Sequence, residues 1–283
     1  MNKIVFSSDL HGNIEKYEKL FSFVIEAKPM CLLLGGDLLP GISSRSSKNY
    51  DDFVNDYLIP RVKLMLNELS NPDFWIGLIL GNDDPRAFET EFLQAEKNNL
   101  WVYLHNKKLK KNGLIYIGYS FVPPTPFRLK DWEKFDVSRF VDIGCIEPFE
   151  GSRSVVPDYD AEYSTIEKDL LLLTQNIKAE NVIMLFHAPP YHTNLDRAAL
   201  DGKMIDHVPL DVHVGSIAIR RMVENFQPLV TLHGHIHESA SITGSWSDLI
   251  GKTYLFSGAH NGKEVAVVIF NPHDLQNAQR FLL

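Results

Sequence analysis

The stretch IGLILGNDDPRAF, Ile76 to Phe88, sets the reading of the whole chain. An apolar run from Phe74 to Leu80 stops at Gly81-Asn82, and two acids, Asp83 and Asp84, follow at once. A run that short reads as a buried strand, and Pro85 then opens a helix over 85–97 from its first turn. The same unit of strand, polar corner and helix recurs upstream. Residues 3–8 read as a strand, and Ile14, Tyr17, Leu20, Phe21, Val24 and Ile25 form a helical stripe after it. Met30 to Leu34 is another short apolar run, ended by Gly35-Gly36. Asp51 to Leu69 reads as a helix that Pro60 kinks or splits.

Further strands are expected at 101–104, 114–119, 182–186, 229–232, 253–256 and 265–270, with helices over 161–176 and 217–226. Short buried strands alternating with helices predict an α/β fold. The stretch 121–160 breaks the pattern, with prolines at 123, 124, 126, 148 and 157. Its length predicts a functional flap, or an excursion packed on the body, within a single domain spanning 1–283.

Composition narrows the function. The 283 residues are 45% apolar and 23% charged. No apolar run approaches the roughly 18 residues of a membrane span. A formal charge of −8 argues against a general nucleic-acid or anionic-membrane binder, but leaves a small phosphorylated substrate open. The two cysteines, Cys31 and Cys145, make no disulfide framework, and Cys31 reads as a packed strand thiol. The first strand runs straight into Asp9 and His11, so no cleavable leader is expected and the cytoplasm is the expected location.

Five polar blocks stand at one structural place, just past a predicted strand. They are Asp9-Leu10-His11, Gly36-Asp37, Gly81-Asn82-Asp83-Asp84, Phe186-His187-Ala188 and Gly234-His235-Ile236-His237. Ligands collect beyond the carboxyl ends of strands in α/β sheets, so these side chains are expected to converge. Each block alone has a bland reading as a turn or a capped helix entry. Gly-His-x-His is firmer, because in an extended segment alternation aims both rings to one side.

Imidazole, carboxylate and amide donors together suit Zn, Mn, Fe, Co or Ni. Asp9, Asp37, Asn82, His187, His235 and one of His11 or His237 could hold two divalent ions with one carboxylate bridging. Such a pair, roughly 3.5–4 Å apart, acidifies a shared water and clamps a phosphate. With four positive charges against two carboxylates and a hydroxide, the site would keep one net positive charge for an anion.

As a set, in this order from Asp9 to His237, the blocks resemble the calcineurin-like metallophosphoesterase superfamily. Its pattern is Asp-x-His, Gly-Asp, Gly-Asn-His-Asp/Glu, His, Gly-His-x-His. The resemblance implies a four-layer αββα sandwich, two mixed sheets flanked by helices, with the metal site at strand C-terminal ends. It implies that Asp9, His11 and His237 hold one metal, that Asn82, His187 and His235 hold the other, and that Asp37 bridges them. The segment from His213-Val214-Gly215-Ser216 to Glu238-Ser239 also resembles a poorly characterised bacterial and archaeal group.

One position departs. The superfamily's His after the Asn contacts phosphate and donates a proton, and the next acid orients it. Here the acid is kept as Asp84 but the His is Asp83. A carboxyl of ordinary pKa about 3.9 has no proton to give near neutrality. Losing a general acid costs about 10²–10⁴ in rate. Candidate replacements are His192, His207 and His213 in the loop after His187, with His260 further on. His233 faces away from the metal pair in extended geometry and reads as structural, and Arg197 and Lys203 read as solvated charge.

The expected function is a binuclear-metal phosphohydrolase, in which a metal-activated hydroxide attacks a phosphomonoester or phosphodiester. The alternative is a protein-interaction scaffold that keeps the fold with little turnover. A polymer nuclease fits poorly with the acidic balance.

Overall fold

The computed structural model describes residues 3–41 and 52–283, so the predicted helix start at Asp51 lies outside the described residues. The first half carries β1 (Ile4–Ser7), α1 (Ile14–Ala27), β2 (Cys31–Gly35), α2 (Ile59–Leu69), β3 (Trp75–Ile79), α3 (Glu89–Lys97), β4 (Val102–Tyr103), β5 (Lys108–Lys111) and β6 (Leu114–Tyr119). The second half adds α4 (Ile166–Thr174), β7 (Val182–Phe186), β8 (Met204–Ile205), β9 (Val208–Pro209), α5 (Ile217–Phe226), β10 (Val230–His233) and α6 (Ser239–Thr243). Strands β11 (Ser247–Ile250), β12 (Thr253–Ser257), β13 (Ala266–Asn271) and β14 (Asp274–Leu282) follow.

Two six-stranded sheets form, ordered β14-β13-β1-β2-β3-β4 and β11-β12-β10-β7-β6-β5. Both are mixed. In the first, β1 to β4 run parallel while β13 and β14 are antiparallel to their neighbours. In the second, β6, β7, β10 and β12 are parallel and the edges β5 and β11 antiparallel.

The period-2 alternation of each strand builds the layers. Phe6, Leu33 and Ile79 from one sheet meet Tyr116, Leu185, Leu232 and Phe256 from the other in a core between the sheets. Their neighbours Val5, Leu32, Leu34 and Leu78 face the opposite way, into a cluster with Tyr17, Leu20, Phe21 and Val24 of α1. On the second sheet Met184 and Phe186 belong to the cluster that takes in Leu170 of α4 and Ile219 and Val223 of α5. The result is the αββα sandwich expected from the resemblance.

Three expectations need correction. The helix read over 161–176 begins only at Ile166, because the Thr165 hydroxyl caps it by accepting from Lys168 N. Pro60 stands in the first turn of α2, where its missing N–H is tolerated, and a π-helical turn, Val54–Leu58, leads into it. The strand read at 101–104 shrinks to the two residues of β4.

The stretch 121–160 contains none of the named elements, and its early part is core. Lys130, Trp132, Glu133 and Phe135 are wholly buried, whereas Phe140 and Val156 are largely exposed. Lys130 Nζ donates to Glu133 Oε2 at 2.5 Å and to Thr125 O at 2.8 Å. Trp132 Nε1 donates to the carbonyl of Asp84 at 2.8 Å, tying this stretch to the corner after β3. Among the described residues no helix is long and apolar enough to cross a membrane.

Candidate metal centre

The parallel strands β1, β2 and β3 of one sheet and β7 and β10 of the other deliver their carboxyl ends to one rim. Asp9, Asp37, Asn82, His187 and His235 stand just past those ends. The corners after β1 and β2 are joined by backbone bonds, Asp9 N to Gly36 O at 3.0 Å and His11 N to Asp37 O at 2.8 Å. Asp9, His11, Asp37 and His235 all sit at positive φ, between 47° and 74°. Left-handed backbone is unfavourable for such residues and is held where surrounding structure fixes it, commonly at functional sites.

His235 corrects the alternation argument. The segment 234–237 is a turn, with Ile236 N bonded to Gly234 O and His235 at φ 74°. Asp9 instead holds the His235 backbone and the His237 ring. His235 N donates to Asp9 Oδ1 at 3.0 Å, and His237 Nε2 lies 3.1 Å from the same oxygen.

Four side chains bring their ligand atoms within 4.8 Å of one another: Asp9, His11, Asp37 and His237. His11 Nε2 and His237 Nε2 are 3.1 Å apart. Asp37 Oδ2 lies 3.8 Å from His11 Nε2 and 3.3 Å from His187 Nε2, so a single oxygen faces both halves of the cluster. His187 Nε2 is also 2.9 Å from Asn82 Oδ1. The His235 ring packs against His187 with centroids 5.1 Å apart.

The donor set fits a cation. His187 Nδ1 is 2.8 Å from the Gly35 carbonyl, which only accepts, so this nitrogen carries the proton. In its neutral form the ring then aims its Nε2 lone pair at two oxygens, Asn82 Oδ1 and Asp37 Oδ2. That arrangement is repulsive unless a proton or a metal ion stands between them. The facing Nε2 atoms of His11 and His237 beside two carboxylates pose the same demand.

Burial opposes charge throughout, and the neighbours decide the outcome. Burial pulls His187 down, but Asp37 and Asp9 outweigh it and push the ring up to about 10. Burial likewise opposes the ionised forms of Asp9 and Asp37. Bonds and charges from His237 and His187 nevertheless hold both below the usual carboxylate range. Burial, with the His187 charge, pushes His235 down to about 3.

The Gly-Asn-Asp-Asp corner splits into distinct parts. Asp84 is wholly buried, and its carboxyl bonds backbone N–H groups. Its oxygens accept from Leu39 N at 2.7 Å, Gly81 N at 2.9 Å and Leu38 N at 3.1 Å, joining the corners after β2 and β3. Burial and the Asp37 charge push it up to about 7. Asp83 N donates to Asp37 Oδ1 at 2.8 Å, and its carboxylate accepts from Asn82 Nδ2 at 2.9 Å. Asp83 Oδ2 lies 3.8 Å from His11 Nδ1, and burial and Asp37 raise its pKa. Gly81 permits the corner because a Cβ there would overlap Asp37 Oδ1 and the His187 ring.

The loop histidines part company. His213 Nδ1 meets Asp196 Oδ1 at 2.8 Å, and the His192 ring packs on it at 4.5 Å between centroids. His207 is exposed in the turn between β8 and β9. His233 is wholly buried, its nitrogens meeting Ala188 O and Thr231 Oγ1. His260 pairs with Glu264 at 3.3 Å, while Arg197 bonds Ala198 O and Asp201 and Lys203 is exposed. Two contributors were not singled out from sequence. The Ser8 hydroxyl donates to Asp9 Oδ2, and buried Asp196 carries His213. Neither stands in a spacing that distinguishes it from an ordinary strand serine or loop aspartate.

A family model described as calcineurin-like phosphoesterase matches residues 2–239. An uncharacterised protein of Methanocaldococcus jannaschii is 34% identical over 125 residues, 43% of this chain and 48% of that protein. The chain thus spans about half the length of that curated relative. Among solved structures, the TT1561 protein of Thermus thermophilus matches with a TM-score of 0.58 at 14% identity, over 99% of this chain and 98% of that one. A dimetal phosphatase from Danio rerio matches at 0.52 and 10% identity, over 94% and 91%. At such identities the two structures bear on the fold alone.

Proposed function

Since the chain belongs to the calcineurin-like phosphoesterase family, we propose that it hydrolyses the phosphoric ester of a small substrate at this cluster, with two divalent ions. The observation that carries the reading is His187, whose Nε2 faces Asn82 Oδ1 at 2.9 Å and Asp37 Oδ2 at 3.3 Å while its other nitrogen is committed to Gly35. Asp9, His11 and His237 would hold one ion, Asn82, His187 and His235 the other, and Asp37 both. Manganese and zinc suit this mixture of nitrogen and oxygen donors. Ions bound there supply Lewis acidity, which activates water and neutralises charge on the phosphoryl oxygens.

The chain's own residues do the positioning. Asp84, by gathering the backbone of Leu38, Leu39 and Gly81, fixes Asp37 relative to Asn82. Asp83 takes the Asn82 amide N–H and so turns the amide oxygen toward His187. Ser8 and the His235 backbone fix the Asp9 carboxylate.

A metal-supplemented screen over phosphomonoesters, phosphodiesters and nucleotides tests the reading. Turnover with manganese or zinc is expected, and Asp37→Ala should abolish it. Near-wild-type turnover in Asp37→Ala, or none by the loaded wild type on any ester, contradicts the proposal.

A further inference from the structure

Residue 83, where the family resemblance puts a proton-donating His, is an Asp here whose carboxylate is turned to Asn82 and His11. The leaving oxygen of an ester still needs a proton. One His–carboxylate pair, on the loop that follows His187, is built as an acid would be.

His213 Nδ1 faces Asp196 Oδ1 at 2.8 Å, and a carboxylate can only accept, so that nitrogen holds a proton, while Nε2 has no hydrogen-bond partner among the described residues. Asp196 is wholly buried and cannot swing away. Its oxygens also accept from His192 N at 2.8 Å, Thr193 N at 2.9 Å and Gly215 N at 3.2 Å. The His213 side chain keeps 21% of its surface open. His192 covers one face of the ring, Tyr191 stands edge-on to it, and Asp211 accepts from the His213 backbone.

The pair is tethered to both halves of the candidate metal centre. Ser216 N bonds Pro189 O and Tyr191 N bonds Ser216 O, within four residues of His187. On the other side Ala199 N donates to Glu238 Oε1, the residue after His237. These bonds fix the loop's backbone to the residues that directly follow His187 and His237. His207 is exposed in a hairpin turn and His260 relies on an exposed Glu264 at 3.3 Å, so neither has an equivalent mount.

We infer that the His213–Asp196 pair, mounted on the loop between β7 and α5, supplies the proton that the leaving oxygen takes. The step rests on the phosphohydrolase reading above. Water forms the new P–O bond and releases a proton to solvent. The bond from phosphorus to the ester oxygen breaks, and that oxygen takes the proton from protonated His213 Nε2. The products are alcohol and phosphate, and the neutral ring, its Nδ1–H still on Asp196, is reprotonated from solvent. Asp196 acts as a positioning residue through the ring.

The test is the dependence of rate on leaving-group pKa. Manganese-loaded wild type, His213→Gln and His260→Gln are compared on aryl and alkyl phosphate monoesters and on the matching diesters, with orthophosphate binding measured alongside. His213→Gln should lose about 10²-fold or more on alkyl esters. It should stay within about threefold of wild type on 4-nitrophenyl esters and bind orthophosphate as wild type does. Asp196→Asn should steepen the dependence in the same direction through kcat, with KM unchanged. An equal fall on all esters, no change, or the selective loss appearing in His260→Gln overturns the donor while leaving the phosphohydrolase reading standing. No turnover by the loaded wild type on any ester overturns both.

Discussion

At the scale of single residues, Asp83 has changed meaning. From sequence it is a misplaced acid in a catalytic position. In the structure its carboxylate accepts from Asn82 Nδ2, and this fixes which end of the amide faces His187. Outer partners of metal ligands typically carry 10–100-fold in affinity. Asp83→Ala should therefore weaken manganese binding about 10-fold or more, read by competition against a chelating dye. Unchanged affinity would remove this role. The side chains that meet at the rim were legible, because each follows an apolar run and an abrupt polar corner. The direction of the Asp83 carboxylate was not, since it depends on Asn82 and His11, which meet only in the fold.

At the scale of elements, the centre depends on corners more than on strands. The strands set the rim, but Asp9, Asp37 and His235 reach their positions through left-handed backbone. This is why period-2 reasoning, sound for β1, β2, β3 and β7, failed for Gly-His-x-His. The buried Lys130–Glu133 pair holds the stretch whose Trp132 is bonded to the corner after β3. Burial pushes Glu133 up to about 7 against the pull of Lys130. Lys130→Met should destabilise by about 3–5 kcal/mol, because it leaves a buried carboxyl without its partner. The double change Lys130→Met/Glu133→Leu should recover most of that in chemical denaturation. A double variant no more stable than the single one would show that the pair is not the cause.

Three edge strands missed in the sequence have a common reason. β5 is an edge strand of Lys108, Leu109, Lys110 and Lys111, whose charges hide its alternation, although Asn112-Gly113 at positive φ marks its hairpin turn. β11 and β14 likewise lie at sheet edges, where half-exposed polar residues blur the pattern. The central strands carried unbroken apolar runs and were read nearly to the residue.

At the scale of the whole molecule, two mixed sheets meet face to face and place every candidate ligand at one end of the sandwich. The interior holds neutral imidazoles as well as apolar groups. Burial pushes His233 down to about 3, and burial with the Arg86 and Lys134 charges does the same to His105. A ring whose folded pKa lies below its ordinary 6.5 favours the folded state above that pH. That contribution is lost as pH falls toward 3. Between pH 7 and pH 5 each ring should cost about 2 kcal/mol. Buried Asp84 and Glu133, raised to about 7, and Asp136, raised to about 6, pull the other way, so the total profile mixes both signs. The clean measurement is the stability gap between wild type and His233→Gln, which should shrink by about 2 kcal/mol from pH 7 to pH 5. A gap independent of pH would contradict a neutral buried ring.

The central claim is that the side chains meeting at the rim form a binuclear metal centre. Elemental analysis of protein dialysed against excess manganese or zinc, beside Asp37→Ala treated alike, tests it most directly. Close to two ions per chain are predicted for the wild type, with at least one lost in Asp37→Ala. A wild type that takes up no ion would contradict the account.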